Sequence, residues 1–173
     1  MKTNWIKQTF LAGLAVVGLM GGTAIAQTVT TTFQVSASVA KNCFVSANNL
    51  AFGAYDGSSA TPLDANTTIG VRCTKNTTFT VDLDAGVTPG ATVAQRRMTN
   101  GTDDMLYNLY TDGTYGTVWG DGTNGTGQGS GTGAGLGAPQ EQTLTVYGRI
   151  PGSQGTLSVG SYTETTITVT VNY

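Results

Sequence analysis

The chain has 173 residues, with 8 basic and 10 acidic side chains, a formal net charge of −2 and no histidine. The lack of a basic stripe argues against nucleic acid as a partner, and the lack of histidine removes the commonest acid–base and metal-binding side chain. The length suits one domain with a substantial core.

Lys2 and Lys7 precede an apolar run, "TFLAGLAVVGLM", and "GGTAIA" then places Ala24 and Ala26 at small-residue cleavage positions. Residues 1–26 therefore read as a secretory signal peptide, with a mature chain of residues 27–173. The apolar run is shorter than the roughly 20 residues that span a bilayer. Beyond it, six basic residues stand against ten acidic ones, a net of −4. Export brings Cys43 and Cys73 into an oxidising compartment, where the pair is expected to join. The closed loop of about 30 residues would contribute roughly 3.6 kcal/mol by chain entropy.

The mature chain opens on "QTVTTTFQVSASVAKNC". Val29, Thr31, Phe33, Val35, Ala37 and Val39 alternate with Thr, Gln and Ser, so residues 28–39 read as one long strand with an apolar face. Next come strand signals at "NLAFGAY" (49–55), a turn at "DGSSATP", and further strands at "TTIGVRCTK" (67–75) and "NTTFTVDLDAG" (76–86). In the last of these Phe79, Val81 and Leu83 point inward. "RRMTNGTDDMLYNLYTD" holds a turn at Asn100-Gly101 and a strand over residues 105–110. Residues 112–137 contain 11 Gly in 26 positions. This costly composition to order predicts a long, partly mobile loop, tied down at its start by Tyr115, Val118 and Trp119. "EQTLTVYGRIP" alternates Leu144, Val146, Gly148 and Ile150. "SYTETTITVTVNY" alternates Ile167, Val169, Val171 and Tyr173. No amphipathic helix is evident, and the succession of short strands predicts an antiparallel β-sandwich or barrel.

The motifs carry little chemistry. No phosphate or dinucleotide loop occurs. Asp82 with Asp84, and Asp103 with Asp104, are the carboxylate pairs that a glycosidase would need; a solvated strand face and a solvated turn account for them. Arg96-Arg97 reads as structural ion pairing. Tyr115 and Trp119 read as loop anchors, with a sugar-stacking platform as the alternative. A Ca²⁺-binding glycine repeat needs regularly spaced Asp, and the segment has Asp112 and Asp121 alone. The Asn-x-Thr sequons at Asn66, Asn76, Asn100 and Asn124 arise by chance in so Thr-rich a chain. The expectation is no enzyme and no cofactor or metal, with function lying in binding or assembly.

Taken in order, Cys43, "FGAY" (52–55), "VRC" ending at Cys73, "VDLDAG" (81–86), "RRM" (96–98), "LYNLYTD" (106–112), "WGDG" (119–122), "VYGRIP" (146–151) and "GSYTETTITVTVNY" (160–173) resemble the spore coat U domain family, which includes the pilins of archaic, Csu-type chaperone–usher pili. The resemblance implies an immunoglobulin-like antiparallel β-sandwich lacking its last strand. It implies a periplasmic chaperone that lends a strand, an outer-membrane usher, and copies of this chain or related pilins as partners. Gly160 and the terminal Tyr173 resemble the glycine and terminal aromatic of chaperone–usher pilins, although that aromatic is often penultimate. Gly160, Ile167, Val169, Val171 and Tyr173 are thereby expected to border the open groove and meet the chaperone. Residues 28–39 are expected to be the donor strand, exported through the periplasm to a cell-surface fibre for adhesion or biofilm formation. Buried in a neighbour, Val29, Phe33, Val35 and Val39 would supply about 6–12 kcal/mol before ordering costs. The alternatives are a strand that belongs to its own domain, a non-fibrous coat protein of the same fold, and a carbohydrate-binding adhesin.

Overall fold

The computed structural model describes residues 25–173, so the signal-peptide assignment lies almost wholly outside the described residues. The chain divides into two units, Met1–Ala37 and Ser38–Tyr173. In the first, residues 25–37 carry no strand or helix and are exposed throughout.

The second unit is all-β. Its strands are β1 (Cys43–Ala47), β2 (Leu63–Cys73), β3 (Thr78–Leu83), β4 (Arg96–Thr99), β5 (Asp104–Tyr110), β6 (Gly129–Thr132), β7 (Gln142–Ile150) and β8 (Val169–Asn172), with one 3₁₀ turn at Ala138–Gln140. They form two antiparallel sheets, a five-stranded one ordered β1-β2-β7-β5-β4 and a three-stranded one ordered β6-β3-β8. This is the architecture of an immunoglobulin-like sandwich.

Alternation places the core. Ile69, Val71 and Cys73 from β2, Phe79, Val81 and Leu83 from β3, and Val146 and Ile150 from β7 are all buried, as period-two patterning requires of strands with one wet face. Gly148 keeps the inward parity of β7 without a side chain for a steric reason. A Cβ there would come within 2.5 Å of Leu50 Cδ2 and 2.8 Å of Phe52 Cζ, so the glycine makes room for the segment after β1. Asn100-Gly101 turns β4 into β5: Gly101 has φ +88°, and the Asn100 Oδ1 accepts from the N–H of Thr102 and Asp103, both at 2.8 Å. Cys43 and Cys73 are register partners on β1 and β2, 4.1 Å apart at Cα, and are joined as a disulfide.

Residues 28–39 have no strand pairing within their own chain. Two strand expectations are corrected. Residues 49–55 form no strand. The last strand is shorter than its alternation: β8 begins at Val169, and Ile167 packs on the core without ladder partners. Conversely, β1, β4 and β6 lay in segments with no strand expectation of their own. The Gly-rich segment is not simply a loop, because β6 pairs with β3 within it. Its glycines let the strand lie under bulky rings. A Cβ on Gly129 would stand 2.4 Å from Trp119 Cζ2, and one on Gly131 2.6 Å from Phe79 Cζ.

Candidate functional site: an open groove between the sheets

The core is not closed on all sides. A groove of about 1430 Å³ opens onto buried residues of both sheets, with Leu83, Met105, Tyr107, Leu109 and Ile150 on its floor. Residues 47–55 form one wall, and residues 157–167 with Val169 form the other. Between Ala47 at the end of β1 and Val169 at the start of β8, the walls carry one strand pairing, the isolated bridge of Thr99 with Thr163.

The sheet edges explain why the groove lies there. β1 pairs with β2 alone, and β8 with β3 alone, so each presents an unpaired edge. Their Cα atoms approach within 8 Å of each other. Val45 shows the gap at the level of one side chain: it shares the inward face with its register partner Val71, yet Val71 is fully buried and Val45 is 45% exposed. A row of open N–H and C=O groups beside bare apolar floor is a template for an added strand.

Of the residues expected to border this groove, Gly160, Ile167 and Val169 do line it. Val171 packs on the core farther along β8, and Tyr173 lies outside the lining and is 54% exposed. The other wall, with Leu50 and Phe52, was missed as a site because its alternation read as an ordinary strand.

Carboxylates hold the 157–169 wall. Asp103 Oδ2 accepts the Ser158 N–H at 2.7 Å and the Ser158 hydroxyl. Glu164 Oε2 accepts the Thr88 N–H at 2.9 Å and the Thr88 hydroxyl at 2.7 Å. Asp84 Oδ1 accepts the Thr168 N–H at 2.9 Å, and Asp82 Oδ2 the Asn172 side-chain amide at 2.8 Å. Of the carboxylates singled out in the sequence, Asp82, Asp84 and Asp103 are thus committed to positioning the wall and β8.

The Ser158 hydroxyl, then its N–H, hold the Asp103 carboxyl below its ordinary 3.8. For Glu164, burial pushes upward, and hydrogen bonds donated by Thr166 and Thr88 outweigh it, leaving the carboxyl below its ordinary 4.5. Both groups are depressed in the fold, so their contribution is full above the ordinary values and is lost as pH falls through the lower folded ones. Denaturant midpoints measured between pH 7 and pH 3 should therefore fall at the acid end. The Asp103→Asn, Glu164→Gln double variant should show a shallower acid limb, and an unchanged limb would contradict the assigned role.

Arg96 organises the floor. It is fully buried and donates Nε to the Asp84 carbonyl at 2.8 Å, Nη2 to those of Leu83 at 3.1 Å and Trp119 at 2.7 Å, and Nη1 to Asn108 Oδ1 at 2.7 Å. Burial lowers its pKa to about 10, against opposing effects of Tyr107 and Asp84. It remains charged at neutral pH. One side chain thus ties together "VDLDAG", "RRM", "LYNLYTD" and "WGDG". The expected ion pairing is confined to its neighbour, Arg97 with Asp104 at 3.5 Å. Trp119 is 1% exposed and donates Nε1 to the Val81 carbonyl at 2.7 Å, which rules it out as a stacking platform. Tyr115 lies under the Arg149 guanidinium, 3.6 Å from the ring centroid.

The predicted donor face is bare. Val29, Phe33, Val35 and Val39 are 94%, 87%, 81% and 85% exposed.

The fold and the groove define an all-β sandwich that is open between its two sheets. The chain belongs to the Spore Coat Protein U domain family, whose model matches residues 29–170. It is 35% identical to "Protein U" of Myxococcus xanthus over 95% of this chain and 97% of that protein. It is also similar, with a TM-score of 0.55 and 24% identity, to a chain in the crystal structure of the CsuC-CsuE chaperone-tip adhesion subunit pre-assembly complex from the archaic chaperone-usher Csu pili of Acinetobacter baumannii. That likeness is one of fold and covers 78% of this chain but 40% of that one.

Proposed function

We propose that the chain is a pilin-type subunit that polymerises by donor-strand complementation into a cell-surface fibre. Residues 28–39 of one copy lie in the groove of the next, between its two walls. The observation that carries this reading is the coexistence, in one chain, of a floor with no strand over it and a bare strand-like segment with one apolar face. Added-strand recognition works this way: backbone bonds give affinity and alternate side chains give register.

On this reading residues 1–26 are removed on export and residues 27–173 are the working subunit. Before assembly the groove needs a stand-in strand, which a periplasmic chaperone supplies; the CsuC-CsuE complex joins a chaperone to a subunit of this fold. An outer-membrane usher is then the place of exchange. Gly160, Ile167, Val169, Val171 and Tyr173 remain the residues assigned to the chaperone-facing strand. The family's description, Spore Coat Protein U, favours a second reading, in which the same strand exchange builds a coat. Electron microscopy of assembled material separates the two.

A synthetic peptide of residues 27–40 tests the reading on full-length mature subunit carrying Phe33→Asp, which keeps its groove. At 100 times its Kd the peptide should stabilise the subunit by about 2.7 kcal/mol, raising the melting temperature by about 5–10 °C. The peptide with Phe33→Asp should have no such effect. A subunit indifferent to both peptides would contradict the proposal.

A further inference from the structure

We infer that Tyr107 is a register-setting residue of the groove, its phenol pairing with the Thr31 hydroxyl of the strand that enters. The inference rests on the donor-strand reading above. The floor of the groove is apolar but for one group. Its other buried residues, Leu83, Met105, Leu109, Val146 and Ile150 among them, are aliphatic or thioether side chains. Tyr107 is 6% exposed, and Phe52 of the 47–55 wall meets its ring edge-on, with 6.2 Å between centroids. Among the described residues its hydroxyl has no hydrogen-bond partner. Arg96, its register partner on β4, spends its donors on Asn108 and on the carbonyls of Leu83, Asp84, Val93 and Trp119. The hydroxyl is nonetheless not sealed in: among the described residues, the enclosed side-chain atom without a partner is Arg97 Nε. Tyr107 lines the groove, so its hydroxyl opens there. Burial pushes the phenol pKa well above its ordinary 10.0, which keeps the group a neutral donor and acceptor.

The entering strand carries the complement. Its apolar face presents Val29, Thr31, Phe33, Val35, Ala37 and Val39, and the Thr31 hydroxyl is the one polar group among them. A strand laid over the floor expels water. A phenol then covered by a methyl group loses its solvent partner and gains none, which is costly in an apolar site. Facing Thr31, it is paired again. Apolar patterning alone cannot make this choice. A slip of one residue turns the Thr, Gln and Ser face inward, and period two excludes it. A slip of two residues keeps the apolar face inward and sets Val29 or Phe33 over the phenol instead. The hydroxyl pair therefore separates the correct register from its nearest competitors.

A double-mutant cycle tests the pair. Synthetic peptides of residues 27–40, with and without Thr31→Val, are titrated onto full-length mature subunits carrying Phe33→Asp, with and without Tyr107→Phe. On the subunit that keeps Tyr107, Thr31→Val should weaken peptide binding about tenfold, as loss of one hydrogen bond with a buried partner does. On the Tyr107→Phe subunit the same change in the peptide should make no difference. Without peptide, the Tyr107→Phe subunit should melt no lower than its parent, because the hydroxyl it lacks has no partner in the body. Equal effects of Thr31→Val on the two subunits would overturn this inference and leave the donor strand standing. A lower melting temperature for the free Tyr107→Phe subunit would place the hydroxyl in a bond within the body and would overturn it too. Failure of the unsubstituted peptide to bind either subunit would overturn the donor-strand reading and this inference with it.

Discussion

Phe33→Asp subunits should be exported and folded but fail to polymerise, whereas Thr32→Asp subunits should assemble. Phe33 is 87% exposed within its own chain, so the substitution removes no core contact. In a neighbour's groove the same change forfeits about 1.5–3 kcal/mol of apolar burial. It also sets an unpaired carboxylate in an apolar groove, where ionisation costs several kcal/mol more. A combined loss of about 5 kcal/mol is between three and four powers of ten in affinity. Thr32 lies on the other face of the strand and keeps its carboxylate wet. Periplasmic yield should be equal for the two variants and surface fibre yield should differ. Misfolding and loss of Phe33→Asp subunits would place the strand within its own domain.

Arg96→Leu should be the most damaging single change in the body. It leaves the carbonyls of Leu83, Asp84 and Trp119 without this donor, and Asn108 Oδ1 with the Leu109 N–H alone. At about 1–3 kcal/mol for each buried orphan, the loss rivals the whole 5–15 kcal/mol of a typical domain. The variant should fail to accumulate in the periplasm. Arg96→Lys should recover little, because an ammonium cannot reproduce the planar fork. Arg97→Leu, which removes a half-exposed ion pair, should stay within about 1 kcal/mol of wild type. Equal yields of Arg96→Leu and Arg97→Leu would refute the organising role of Arg96.

Sequence patterning located elements whose partners lie in the same chain. Ile69, Val71 and Cys73 in β2, and Phe79, Val81 and Leu83 in β3, alternate cleanly because each strand has a ladder on both sides. The alternation at residues 28–39 and 49–55 is as clean, yet no strand forms there. Leu50, Phe52 and Ile167 still turn toward the core. What is missing is backbone pairing, and on the donor-strand proposal that pairing comes from another copy. Two strands were illegible for a different reason. β4 carries Arg96 on its inward face, a position that patterning reserves for apolar side chains, and the compensation is a set of carbonyls from distant segments. β6 is Gly-Ser-Gly-Thr; it forms because Trp119 and Phe79 need a surface without Cβ atoms, and no local propensity reports that. The groove itself was legible only through family resemblance, since a site made by an absent strand leaves no motif.

Amide hydrogen exchange of the wild-type chain, compared between isolated subunits and assembled material, tests the donor-strand account most directly. Residues 28–39 should exchange freely in the isolated subunit and become protected on assembly, together with residues 49–55 and the free edge of Val169–Asn172. Assembled material in which residues 28–39 still exchange freely would contradict the account.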